Sequence, residues 1–359
     1  MMKANSVLKS LALYSFLSVA SLAEASTEIT FRYAEATPNR GPRAEAMQYF
    51  ADRLKESSGG NLKIDFYWGG VLLKADAILG GVSSGTTDLG TTWAAYSPQQ
   101  MRVLSVGDIP VPEADPWIGM RAMYDLMTTN RDLKKAFDDN NVVYITNYTT
   151  GPMQIECAGD VRLNRLEDLK GKRVRASAIY GKILHEVGAT LANFTYSEIY
   201  QALDTGLIDC SGAYLYAMSA FKTAEVSTSV AYLDWGQVAG MGMVMNKWTW
   251  DTLSDDQQAM FRKVGSEMID FYAENLIKDN DDVLKLLPVG ELGNKVEVIR
   301  WSDAEKAKLI KHSDKYIQAW IEDMNKAGFD GRAIWNEYNR LLEKYRSEVD
   351  EKGYPWQRT

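Results

Sequence analysis

Histidine and cysteine are nearly missing from this chain of 359 residues, which has two of each. His185 and His312 stand at no ligand spacing from a cysteine, so a Cys/His zinc site lacks its donors. A Ser-His-Asp hydrolase lacks its base, because neither histidine ends a strand pattern or sits in a glycine-rich turn. His185 falls inside the helical stretch GKILHEVGA, where a packed or exposed side chain is expected. Cys157 and Cys210 have no CxxC neighbour and allow a single pairing, and sequence does not say whether their Cα atoms approach closely enough to bridge. A basic excess is missing as well. The formal net charge of -8 argues against nucleic acid or an anionic membrane as the main partner. The glycine-rich GGVLLKADAILGG has no Gly-Lys-Ser/Thr, and no GxGxxG opens a helix. No cofactor, metal or catalytic constellation is therefore expected.

What is present begins with Lys3 and Lys9, an apolar run from Leu11 to Leu22 and the small-residue site Ala23-Glu24-Ala25. This pattern predicts a signal peptide over residues 1–25, whose apolar run of about 12 residues is too short to span a bilayer. The rest holds 38 basic against 47 acidic residues, in a compartment where a disulfide could persist. Its length suggests two lobes. EITFRYAEA, LKIDFYWGG and TTDLGTTW read as strands alternating with helical stretches, and the same order returns in KRVRAS, TLANFTY and LIDCSG. Parallel βαβ units follow, with residues 26–150 forming lobe I and 151–240 lobe II. Residues 241–359 would return through the hinge and supply a long helix and the C-terminal helices. Ser254-Asp255-Asp256-Gln257 has a capping-box pattern, and apolar positions from Met260 to Ile277 keep one face continuous up to Pro288. A helix of that length, about 45–50 Å, would brace both lobes. Ser302-Asp303-Ala304-Glu305 predicts a second capping box.

In open α/β sheets ligands bind beyond the carboxyl ends of the strands. Those ends hold Glu35, then Trp93 and Tyr96, Ser177 to Tyr180, Tyr196, and Tyr214 with Tyr216. Aromatic residues with a polar tip suit a ligand cleft as well as a core.

The ordered stretches NRLEDLKGKRVRAS, YSEIYQALDTGLIDCSGA and MVMNKWTWDTLSDDQQAMF resemble the solute-binding proteins of tripartite ATP-independent periplasmic (TRAP) transporters, the dicarboxylate-binding-protein (DctP) family. ESSGGNLKIDFYWGGVL and GTTDLG extend the likeness into the first lobe. The resemblance implies a two-lobed periplasmic binding protein of type II-like α/β form, a monomer located in the periplasm. It would capture an organic acid and hand it to membrane permease subunits. Arg175 matches the family arginine that pairs with the ligand carboxylate, a role its planar fork suits. Lys170 and Lys172 belong to a turn, and Arg173 reads as structural. Gln154 stands where many relatives have a second arginine, while Cys210 and Ala213 replace a glycine and an asparagine. Tyr196, Trp93, Tyr214 and Trp235 would line the cleft. One cation, one amide and several aromatic faces suit a small aromatic monocarboxylate. A carboxylate zwitterion or a sugar acid are the alternatives, and an exported enzyme acting on organic acids is the competing class.

Overall fold

The computed structural model describes residues 28–358 apart from Glu113, so the expected signal segment lies outside the described residues. Two mixed sheets form the lobes. The first begins with β1 (Ile29–Ala34), β2 (Leu62–Tyr67), β3 (Leu89–Trp93) and β4 (Val142–Tyr148). The second takes β5 (Gln154–Cys157), β6 (Arg173–Arg175), β7 (Thr190–Ala192), β8 (Cys210–Ala213) and β9 (Ser229–Tyr232). The chain then returns, and β10 (Met241–Asn246) enters the first sheet before β11 (Glu297–Arg300) closes the second. The strand orders are β2-β1-β3-β10-β4 and β11-β9-β5-β8-β6-β7.

The expected parallel pairings occur between β1 and its two neighbours, and between β6 and its two. The strands that have just crossed between lobes depart from the expected parallel order. β10 runs antiparallel to β3 and β4, and β5 antiparallel to β8 and β9, because each enters its sheet from the other lobe rather than through a helical crossover. Cys157 stands opposite Cys210 on β5 and β8, with Cα atoms 4.0 Å apart, and the two form a disulfide.

The two crossing segments pair side by side. Thr150 N donates to Val238 O at 3.0 Å, Met153 N to Gly236 O at 3.1 Å and Trp235 N to Met153 O at 3.1 Å. The helix Asp255–Leu286 runs across this hinge, and its 32 residues span about 48 Å. Its capping box forms: Ser254 N donates to Gln257 Oε1 and Gln257 N to Ser254 Oγ. Near its start Phe261 packs edge-on against Phe31 in lobe I. Midway Tyr272 Oη donates to Thr149 O at 2.8 Å, on the hinge itself. Near its end Val283 packs with Leu215, Met218 and Val230 of lobe II. A second helix, Asp303–Lys326, also touches both lobes. Trp320 Nε1 donates to Ser105 Oγ, while Leu166 N donates to Glu305 Oε2 at 3.0 Å. Glu305 thus leaves the predicted capping box half formed: Ser302 Oγ accepts from Glu305 N, but the carboxylate caps a turn of lobe II.

Gly265 lets the long helix lie against β4. A Cβ there would stand 2.9 Å from Ile145 O and 3.2 Å from the Thr146 Cβ. Ala normally improves a helix interior by up to about 1 kcal/mol over Gly, but here the clash reverses the sign. Gly265→Ala should lower stability by roughly 1–3 kcal/mol in urea unfolding. Gly80→Ala, in the helix Ile78–Ser83 with open space around the position, should not.

Candidate functional site

A cavity of about 600 Å³, counting the space at its mouth, lies between the lobes at the carboxyl ends of β1, β3 and β8. Glu35, Trp93, Tyr96, Tyr196 and Tyr214, all singled out at strand ends, line it together. Tyr196 stacks on Tyr214 with ring centres 5.7 Å apart and meets the edge of Phe221 at 4.9 Å. From lobe I, Trp93 and Tyr96 form an edge contact at 4.6 Å. The lobes touch across the cleft: Tyr96 Oη accepts from Tyr196 N at 3.0 Å, and Arg40 Nε donates to Ala220 O at 3.0 Å.

Arg175 ends β6 immediately behind this aromatic wall. It is 2% exposed and is not among the residues that line the cavity. Its Nε donates to Phe194 O at 2.9 Å, one terminal nitrogen reaches Tyr96 Oη at 3.4 Å, and its guanidinium carbon lies 5.4 Å from the centre of the Tyr196 ring. Among the described residues no carboxylate pairs with it. Arg173, by contrast, is half exposed and fastened to Asp209 at 2.6 Å, so its charge is spent at the strand's outer end.

Two expected wall residues lie elsewhere. Gln154 is buried, but Oε1 accepts from Leu233 N at 2.6 Å and Asp234 N at 3.1 Å, while Nε2 donates to Asp234 Oδ1 at 2.9 Å and to Pro152 O at 3.4 Å. The amide is consumed in holding the turn where Asp234 adopts a φ of 49°, and it has no donor for the cleft. Trp235 packs edge-on against Tyr180 at 4.9 Å and faces a separate hollow beside Lys306 and Leu309. Gln154 sits just beyond one hinge crossing and Trp235 within the other, where the chain turns between strands.

The floor holds a residue that strand-end counting missed. Arg43, in the first turn of the helix Gly41–Ser57, lines the cavity and is 8% exposed. Burial works against its charge, yet Glu35 and the neighbouring tyrosines raise its pKa overall. Its contacts are loose: 3.4 Å to Glu35 Oε1 and 4.0 Å to the Met241 sulfur, with Nε unpartnered. The rule that ligands meet the ends of strands covers the helix start that follows β1, and applied there it would have marked this arginine. Glu35 also accepts from Thr37 N at 2.9 Å and Thr91 Oγ1 at 2.6 Å. An ionised carboxylate only accepts, so Thr91 donates to it; Tyr33, 2.7 Å from Thr91, then donates in turn.

Two buried acids flank the wall. Asp108 accepts from Trp93 Nε1 at 3.2 Å and from Gly240 N at 2.7 Å, joining the wall to the returning hinge strand; burial pushes its pKa up to about 7. Glu156, on β5, accepts from Ser227 Oγ at 3.0 Å, and burial pushes it up to about 7 against the opposing effect of nearby hydroxyls and Arg175.

The family model described as bacterial extracellular solute-binding protein, family 7 (DctP), matches residues 33–323. The chain belongs to that family. Its members are binding proteins of transporters, and the two-lobed α/β fold is theirs. A solute-binding protein of Albidiferax ferrireducens is 24% identical over 309 residues, covering 82% of each chain. The structure of a TRAP periplasmic solute binding protein from Desulfovibrio salexigens is 25% identical and covers 89% of this chain and 97% of its own, with a TM-score of 0.75. A TRAP solute binding protein from Rhodoferax ferrireducens, in complex with copurified benzoate, has the same fold at 19% identity, with a TM-score of 0.78 over 89% of this chain and 99% of its own. So does one from a Sulfitobacter species with bound β-D-galacturonate, at 18% identity and a TM-score of 0.72, covering 87% and 100%. Among the described residues of this DctP-family chain there is no helix long and apolar enough to cross a membrane and no acid, histidine or cysteine group that could hold a metal.

The raised acids fix a sign for the pH dependence of stability. A carboxyl whose pKa is higher folded than unfolded contributes stability below its unfolded value, and that contribution is lost as pH rises through the folded value. Melting temperature should therefore fall from about pH 5 to about pH 8, with Glu156 contributing roughly 2–3 kcal/mol at most. Glu156→Gln, which keeps the Ser227 contact in the form of the protonated acid, should flatten that fall; an unchanged slope would contradict the assignment.

Proposed function

We propose that this chain is the periplasmic solute-binding subunit of a TRAP transporter and captures a small aromatic monocarboxylate for delivery to membrane permease subunits. The observation that carries the ligand class is Arg175: a buried guanidinium without a carboxylate partner, next to a cavity walled by Trp93, Tyr96, Tyr196, Tyr214 and Phe221. Removing a cation from water without a counter-charge costs several kcal/mol, and a ligand carboxylate would supply the missing partner. Tyr96 Oη occupies the guanidinium edge that the carboxylate would take or share. Benzoate and galacturonate both occupy this fold in other proteins, so the fold does not choose between them. The ring faces of this cavity favour a flat apolar body.

The lobes close by hinge motion around the ligand as a monomer, with Tyr96 and Arg40 reaching across from lobe I. A zwitterion with a cationic end is less well served, because Arg43 already stands beside Glu35 on the cavity floor.

A thermal-shift screen over aromatic, aliphatic and sugar acids should give its largest shifts with aromatic monocarboxylates and no product. Arg175→Ala should weaken binding of every carboxylate at least about 30-fold. Turnover of an acid, or unaltered carboxylate affinity in Arg175→Ala, would overturn this function.

A further inference from the structure

We infer that the pair Glu35 and Arg43 forms a second recognition point, which selects a hydroxyl on the ligand away from its carboxylate. The inference rests on the proposed function and extends it from aromatic acids in general to hydroxylated ones.

The two side chains leave hydrogen bonds unspent. An ionised carboxylate offers about four acceptor positions. Glu35 uses three of them, for Thr37 N, Thr91 Oγ1 and Arg43. Arg43 has five N–H donors. Among the described residues it reaches Glu35 Oε1 at 3.4 Å and the Met241 sulfur at 4.0 Å and hydrogen-bonds Tyr216, while its Nε has no partner. One face of the guanidinium lies over the Tyr148 ring, 5.0 Å from its centre, and this fixes the plane of the fork. Tyr216 stands beside it as a further polar neighbour. The floor thus presents spare donors and one spare acceptor side by side, in a place where unsatisfied polar groups are costly.

Charge then narrows what fits. A second carboxylate would be drawn to Arg43 but would meet Glu35, and an ammonium would be drawn to Glu35 but would meet Arg43. Each gains from one partner what it loses to the other. A hydroxyl is neutral, accepts from the guanidinium and donates to the carboxylate, and so satisfies both. Two other lining residues have buried, unpartnered oxygens, Thr37 Oγ1 and Tyr196 Oη, so the cavity is built for a ligand with more than one polar group. The walls between these points are aromatic, which places a ring between the carboxylate and the hydroxyl.

The test is calorimetric titration of the whole secreted protein with benzoate, phenylacetate, their ring-hydroxylated forms and isophthalate. The hydroxylated acid of best fit should bind at least about tenfold more tightly than its parent, the gain expected for one hydrogen bond to a charged partner. In Arg43→Met and in Glu35→Gln the ratio of the two affinities should fall towards one. A purely structural role for the pair would lower both affinities and leave the ratio unchanged. Should Arg43→Met fail to fold, the wild-type ratio and Glu35→Gln decide the matter. Equal affinities in the wild type, a ratio that survives both substitutions, or tighter binding of isophthalate than of any hydroxylated acid would overturn the inference while leaving Arg175 as anchor. If neither parent nor hydroxylated acids bind, the aromatic-acid function falls and this inference with it.

Discussion

Two chain segments cross between the lobes side by side, hydrogen-bonded to each other at Thr150, Met153, Trp235 and Gly236. A pair of antiparallel strands can bend more easily than it can slip, because slipping breaks every bond of the ladder and bending breaks none. The pairing thus holds the lobes against sliding past each other. Tyr272 fastens the long helix to this ladder at Thr149, and Asn280 Oδ1 accepts from Tyr216 N on the lobe II side. The cavity lies between the strand ends of the two lobes. The disulfide between β5 and β8 reinforces this rigidity, since it joins the strand that arrives from the hinge to its neighbour in the sheet.

The cavity has unlike ends. At one, a buried guanidinium that forms no ion pair among the described residues stands behind two tyrosines; at the other, a guanidinium already paired with a carboxylate lies on the floor. An unpaired charge discriminates by sign, while a paired one discriminates by hydrogen-bond pattern, because its field is largely cancelled. The separation of these two tasks along one aromatic channel would let a single small molecule be read for charge and for substitution independently. The proposed function and its extension differ in this way: each depends on its own end.

Much of this was legible in the sequence. Glu35, Trp93, Tyr96, Tyr196 and Tyr214 converge on the cavity because the alternation of strands and helices places strand ends at one edge, whatever the details of pairing. The long helix was legible from its cap and its apolar face. The hinge was not. The antiparallel entry of β5 and β10 is a consequence of which lobe a strand comes from, and no local pattern encodes that. For the same reason Gln154 was misplaced: at a crossing its side chain answers to the turn at Asp234 rather than to the sheet. Cys157 and Cys210 could be matched only once the register of β5 on β8 was known. Arg43 escaped notice because an arginine near a helix start looks like a surface residue until Glu35 is seen beside it.

Asp108 has a wider meaning than its two hydrogen bonds suggest. One oxygen accepts from the indole of Trp93 and the other from the backbone of Gly240, so a single carboxyl group is shared by the wall of the cavity and the pivot of the molecule. The wall and the returning strand thus share one anchor, and losing that carboxyl would leave two donors, the Trp93 indole and the Gly240 amide, without their acceptor.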